Sequence, residues 1–398
     1  MISIEEALKI VEDQTFCLPV EGVGLEGCVG RVLAEDVYSD MDLPPFDRSQ
    51  MDGFAVRSLD VGMSPARLRI IGESAAGKGW DGHCGKDEAV RIMTGARVPA
   101  GADAVQKVEL TEEKEGHVTV LKPVAAGTNI VAKASEITSG ETVIQRGETI
   151  TANMIATLAS FGYERVRTCQ SPRVSILATG SEIVDVGKTP GKDQIRNSNS
   201  WSLAAFAREA GANVRLLEIA KDDLDGLTGI VDDALKDCDC LIISGGVSVG
   251  DYDFTKPALR NAGAEIFFER VALKPGKPTV FAKRDNTLIF GLPGNPVSIA
   301  VAFYLFVRTA LLKMQGASLC RLPESNAVAS HDIKGAKGRD SVLPVTLSTD
   351  GNGVRIVETL RFSGSSNFIR FAQANALVLV ERDSVLRKGD IARTFPLR

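Results

Sequence analysis

RVSILATG (Arg173–Gly180), SNSWSLAAFAREAGA (Ser198–Ala212), VRLLEIA (Val214–Ala220), CLIISGG (Cys240–Gly246) and NTLIFGLPGNPVS (Asn286–Ser298) follow one another within residues 172–316. The apolar, β-branched runs read as buried strands. The stretch from Ser198 reads as a helix, because Leu203, Phe206, Ala207 and Ala210 fall on one face. A second helix is expected from about Asp223 to Lys236, and AEIFFERVAL and PTVFAK supply further strands. Asn295 stands where a helix would be capped, with Pro296 at its first position and Gly316 past its end. Strand and helix alternating in this way predict an α/β fold, a three-layer α/β/α domain around a mostly parallel sheet.

The rest of the chain reads differently. Residues 18–168 hold short β runs and many glycines, with one helical period at Ala152–Phe161. Gly30–Asp40 and Ser135–Ile150 look like two halves of one β-rich module, interrupted by an insert of roughly 41–132. Residues 320–398 alternate apolar and polar positions in VLPVTLS, GVRIVET and ALVLVER, which predicts a small C-terminal β-barrel. The N-terminal MISIEEALKIVED reads as an amphipathic helix with a capping box from Ser3 to Glu6, and not as a signal peptide.

A chain of 398 residues exceeds one core and predicts two to four domains. The net charge of −5 argues against a nucleic-acid partner. The longest apolar run, Pro296–Val307, is broken by Arg308 and reads as too short to span a bilayer, so a soluble, cytoplasmic protein is expected. The seven cysteines, scattered and odd in number, read as reduced thiols, with Cys238 and Cys240 as core residues. Three histidines without ligand spacing make a histidine-based zinc site improbable.

Chemistry concentrates in turns that follow strands, where open α/β sheets place ligands. SGGVSVGDYDF (Ser244–Phe254) offers Gly245 and Gly246 for close backbone approach, Ser248 for phosphate oxygens, and Asp251 or Asp253 for a hydrated Mg²⁺. KPGKP sets Lys274 and Lys277 on one turn, an arrangement that an anion would relieve. GLPGNPVS turns at Pro293–Gly294 and opens a helix at Asn295, equally a phosphate site or a well-capped helix. ATGSEI offers Glu182 with the hydroxyls of Thr179 and Ser181; of Asp222 and Asp223, one is at least as well explained as a helix cap. PPFDRSQMDGFAV carries Asp47 and Asp52, and MTGARVPAGADAV carries Thr94 and Arg97, each close to an ordinary loop by itself. Together these groups describe a site for a phosphorylated or oxyanionic ligand with a divalent cation.

The ordered set of DRSQMDGFAV, MTGARVPAGADAV, the Ser135-Glu136-Ile137 segment, ATGSEI, IRNSN, SGGVSVGDYD, KPGKP, GLPGNPVS and GSSNF with AQAN resembles the molybdopterin molybdenumtransferase family, which includes bacterial MoeA, its plant equivalent and the E domain of gephyrin. The resemblance runs through nearly the whole chain. It implies an elongated homodimer of four-domain subunits, here 1–17 with 170–318, 18–40 with 133–169, 41–132, and 319–398. It implies a Mg²⁺-dependent reaction of adenylylated molybdopterin with molybdate, releasing AMP and yielding molybdenum cofactor. Molybdopterin adenylyltransferase and cofactor-receiving enzymes are the protein partners it suggests.

By the same resemblance Asp52, Glu182, Asp222, Asp253, Lys274 and Lys277 are the catalytic positions. Thr94, Ser248, Gly245, Gly246, Arg270, Pro293, Gly294, Asn295, Pro296, Arg339 and Ser365 would bind substrate, and Asp52, Glu136, Glu182 and Asp253 would hold the metal. A cleft shared between subunits is expected, because no single domain carries the full set. Two departures stand out. The family's Gly-Glu-Asp-Ile is Ala134-Ser135-Glu136-Ile137 here, one methylene longer at the acid, and Arg270 keeps a charge with altered donor geometry. An adenylyltransferase on the same fold, a non-catalytic scaffold, and a tungstate-handling relative are the alternatives; the extra β domains weigh against the first, and the lack of a fused second enzyme against the second.

Overall fold

The computed structural model describes residues 1–397 apart from 222, 248–253, 361–363 and 365. It divides into two compact units, one of Met1–Glu35, Arg146–Ile155 and Arg165–Arg398, the other of Asp36–Gln145 and Ala156–Glu164.

In the first unit, Arg173–Ala178, Asn213–Leu216, Cys240–Ser244, Thr287–Leu292, Val280–Arg284 and Glu265–Phe268 form a six-stranded sheet. Side chains alternate between its faces, as strand geometry requires. Val174, Ile176, Cys240, Ile242, Phe281 and Phe290 point one way, into a core shared with Ala7, Leu8 and Val11 of helix Ile4–Gln14, with helix Asn199–Glu209 and with the helical run from Pro296. Leu177, Leu241, Ile243, Val280, Ala282 and Ile289 point the other way, onto Leu227, Val231, Ala258 and Leu259 of helices Leu224–Ala234 and Thr255–Asn261. The α/β/α expectation therefore holds, including the N-terminal helix, whose Ser3–Glu6 capping box is formed.

Two features refine the sequence reading. Four strands are parallel, but Val280–Arg284 and Thr287–Leu292 form an antiparallel hairpin, joined through Asp285 and Asn286. A two-residue connection can only reverse the chain, so the parallel run must end there. The apolar run from Pro296 is also longer than expected. A short π segment at Phe303–Val307 carries the helix past Arg308 to Met314, giving 19 residues that could cross a bilayer by length and composition. It is 83% buried and serves as the central helix of one layer.

Cys238 and Cys240 are buried on opposite faces of the sheet, and burial pushes the Cys238 thiol up to about 11. In the same unit, Ser325–Ala329, Asp340–Thr349, Arg355–Thr359, Ala376–Val380 and Ile391–Pro396 close into a five-stranded barrel over Ala329, Val345, Val357 and Val378. Leu273–Lys274 adds a parallel strand to it, at Asp340 and Ser341.

The second unit is built on a curled six-stranded sheet in the order Ala104–Lys107, Gly53–Val56, Glu88–Ile92, Ala66–Ser74, His117–Val120, Thr111–Lys114. Phe54, Val56, Leu68, Val118 and Val120 fill one face; Ala55, Val90, Ile92 and Val105 fill the other. Val37–Tyr38 pairs with Thr142–Ile144, joining the two pieces that flank the insert.

Ala134 holds φ +59 in this unit, at the position where the resemblance places glycine. The left-handed conformation costs an L residue roughly 1–2 kcal/mol, and glycine's larger unfolded-state entropy returns about half of that. Ala134→Gly should therefore stabilise the unit by about 1 kcal/mol, seen as a higher urea midpoint with an unchanged slope. A lower midpoint would show that the Ala134 side chain contributes more than its backbone loses.

Candidate functional site

Three neighbouring parallel strands end in register: Ala178 lies beside Ser244, and Ser244 beside Leu292. The chain leaves all three at the same edge, into Thr179–Gly180, Gly245–Gly246 and Pro293–Gly294. This edge opens into a cleft of about 1720 Å³. Its position follows from the parallel topology, since carboxyl ends of adjacent parallel strands leave a crevice that side chains do not fill.

The floor is held by backbone and amide bonds. Thr179 N–H donates to Ser244 O at 3.0 Å, and Gly245 N–H donates to Leu292 O at 3.0 Å. Asn199 Nδ2 donates to Gly294 O at 2.8 Å and to Ser244 Oγ at 3.3 Å, tying two of the turns together. Pro293, Gly294, Asn295 and Pro296 all line the cleft, so the helical run starting at Pro296 presents its N-terminus there, the end that favours an anion. Asn295 sits at the N-cap position of that run, with Pro296 at its first position.

One wall is a flap that the sequence did not announce. Ile183–Val184 and Ile195–Arg196 form a two-stranded parallel pair, held by Ile195 N–H to Glu182 O at 2.9 Å and Asn197 N–H to Val184 O at 2.8 Å. Val186, Pro190 and Ile195 line the cleft from the flap, and Phe368 lines it from the short helix Phe368–Phe371 of the barrel segment. Ile195 is 59% exposed and Phe368 51%, so apolar surface stands open along a polar floor. A cleft lined by exposed apolar side chains and by glycine turns suits a ligand with both an apolar and an anionic part.

Of the expected site residues, Glu182, Gly245, Gly246, Pro293, Gly294, Asn295 and Pro296 line this cleft. Glu182 is exposed to it. Asp223 lines it too, and its Oδ2 accepts from Gly226 N–H at 2.8 Å as the cap of helix Leu224–Ala234, the plainer role expected for one of the pair. Asp222, Ser248, Asp251, Asp253 and Ser365 lie outside the described residues. Lys274 and Lys277 are exposed, and it is Pro278 of that turn that borders the cleft. Arg270 is exposed, its carbonyl accepting from Ile2 N–H at 3.2 Å, and Arg339 bridges back to Ala336 at a barrel turn. Asn197, Asn199 and Phe368, from the IRNSN and GSSNF motifs, line the cleft as well.

In the second unit, the two quoted turn motifs meet. The Asp52 carboxylate accepts from Thr94 N–H at 2.7 Å and from Thr94 Oγ1 at 2.9 Å, and the backbone bond holds its pKa below the usual carboxylate range. Glu136 is exposed and pairs with Arg48 at 3.5 Å. Among the described residues, no group of three or more His, Cys, Asp or Glu side chains is placed to hold a metal by itself.

The chain is similar to known proteins over nearly its whole length. The family model "MoeA N-terminal region (domain I and II)" matches residues 2–162, "Probable molybdopterin binding domain" matches 175–313, and "MoeA C-terminal region (domain IV)" matches 326–397. A curated relative from Staphylococcus aureus (strain MSSA476), named molybdopterin molybdenumtransferase, is 36% identical over 95% of this chain and 91% of its own length. One of that name from Staphylococcus epidermidis is 34% identical over the same shares. Two crystal structures of the molybdopterin biosynthesis MoeA protein from Pyrococcus horikoshii align with TM-scores of 0.84 and 0.85 at 31% and 28% identity. They cover 100% of this chain and 99% and 100% of theirs.

Proposed function

Because the chain belongs to the MoeA family, transferases of molybdenum cofactor biosynthesis, we propose that it inserts molybdenum from molybdate into adenylylated molybdopterin. The phosphoanhydride is cleaved, AMP leaves, and the metal is bound by the pterin dithiolene. The observation that carries this reading is the cleft, lined both by glycine turns with a helix N-terminus and by the exposed apolar side chains of Ile195 and Phe368. The turns suit the phosphates, and the apolar wall suits the ring.

Mg²⁺ fits the donors present. It keeps several waters and takes one or two carboxylates plus substrate phosphates, rather than a cage of protein ligands. Glu182, exposed at the cleft, is a carboxylate of that kind, and a bound Mg²⁺ would neutralise charge developing on the phosphates. Asn199, bonded to Ser244 Oγ and Gly294 O, steadies the strand edge that carries the turns once the ligand is bound, as charge moves to the leaving phosphate. The proposal includes a cytoplasmic homodimer, to be seen as a single sedimenting species of twice the chain mass.

Cofactor assembly from purified adenylylated molybdopterin tests the reading. AMP release and formation of active cofactor should require the protein, Mg²⁺ and molybdate, and should stop in EDTA. A parallel arm with tungstate separates the two oxyanions. Failure to release AMP above the protein-free control with either oxyanion would overturn the transferase reading of this cleft.

A further inference from the structure

Thr179 lines the cleft but is only 7% exposed, and its Oγ1 is sealed from solvent without a hydrogen-bond partner among the described residues. Its neighbours are differently placed. Thr255 Oγ1 donates to Gly245 O at 3.2 Å, and Ser244 Oγ accepts from Asn199. Thr179 Oγ1 packs instead against the Gly245–Gly246 turn, 2.9 Å and 3.1 Å from where Cβ atoms would stand on those two residues. A buried hydroxyl without a partner is unfavourable, and valine would fill the same space without that cost. Something other than the stability of the free protein therefore accounts for a hydroxyl here.

We propose that Thr179 is a positioning residue of the ligand-bound state, acting through the Gly245–Gly246 turn. When a phosphoryl group settles on the turn, the glycine backbone shifts over Thr179, and the hydroxyl makes the hydrogen bond it lacks in the free protein. That bond holds the Gly246 end of the turn on the ligand, while Gly245 N–H stays on Leu292 O. The two residues that must move are both glycines, so the shift meets no side chain of their own. The inference rests on reading the cleft as the site for the phosphorylated end of adenylylated molybdopterin.

The test compares wild type, Thr179→Val and Thr179→Ser by calorimetric titration with AMP and by thermal unfolding without ligand. Thr179→Val should unfold at the same temperature as wild type or higher, and bind AMP about tenfold more weakly, the worth of one hydrogen bond. Thr179→Ser, which keeps the hydroxyl, should restore binding to within about twofold. If the valine variant binds as well as wild type, or loses stability with no rescue of binding by serine, Thr179 is a packing residue and the proposal fails while the cleft reading stands. If wild type itself does not bind AMP, the cleft reading fails and takes the proposal with it.

Discussion

Gly53→Ala should unfold the second unit. Gly53 begins the strand flanked by Ala104–Lys107 and Glu88–Ile92, with Lys107 and Ile92 as its direct partners. A Cβ there would stand 2.0 Å from the Gln106 carbonyl oxygen and 3.0 Å from the Val108 nitrogen, both backbone atoms of the neighbouring chain segment. Backbone cannot rotate aside as a side chain does, so the strand must separate from its partner or lose its register. Overpacking that moves backbone costs about 1–3 kcal/mol or more, and contact this close belongs at the upper end. Trp80 packs against the core of the same unit, and Trp201 belongs to the other. In a Trp201→Phe background, Trp80 emission then reports the second unit alone. The substitution should shift that emission to the unfolded value at low urea. A transition at the wild-type midpoint would mean that the close approach at Gly53 does not exist in solution.

Gly245→Ala should abolish cofactor assembly. Gly245 has φ +101, a conformation that alanine adopts only under strain, and an added Cβ would stand 2.7 Å from the Thr179 carbonyl oxygen. The turn would have to leave the strand edge, where Gly245 N–H donates to Leu292 O. Misplacement of a positioning group by about 1 Å costs on the order of 100-fold in rate, and this change displaces the whole turn. The loss should appear in AMP release at saturating substrate, with far-ultraviolet circular dichroism unchanged. Retention of more than about a tenth of wild-type turnover would show that the turn does not carry the ligand.

The site was legible in its parts and not in its assembly. SGG, LPGNP and ATGSEI announced themselves as turns after strands, and all three border the cleft. KPGKP had the same appearance; its Pro278 also lines the cleft, while Lys274 joins a strand beside Asp340 and Ser341 and neither lysine is among the cleft's lining residues. Composition alone could not separate these cases, because a turn's residues set its bend and not its neighbours. Asp52 and Thr94 gave weak signals apart, and only their hydrogen bonds show that the MDG and MTGA turns form one structure.

By itself the sequence determined the layers. Period-two alternation in strands and a three-to-four residue apolar spacing in helices are local properties, and they fixed the α/β/α domain, the capping box at Ser3 and the β-rich C-terminal segment. Tertiary structure alone decided the rest. It set Ala178, Ser244 and Leu292 level at one sheet edge, closed the barrel by pairing Asp340–Thr349 with Ala376–Val380, and buried the Thr179 hydroxyl under two glycines. Each of these depends on register between segments tens of residues apart, which packing of the whole core selects and no local pattern encodes.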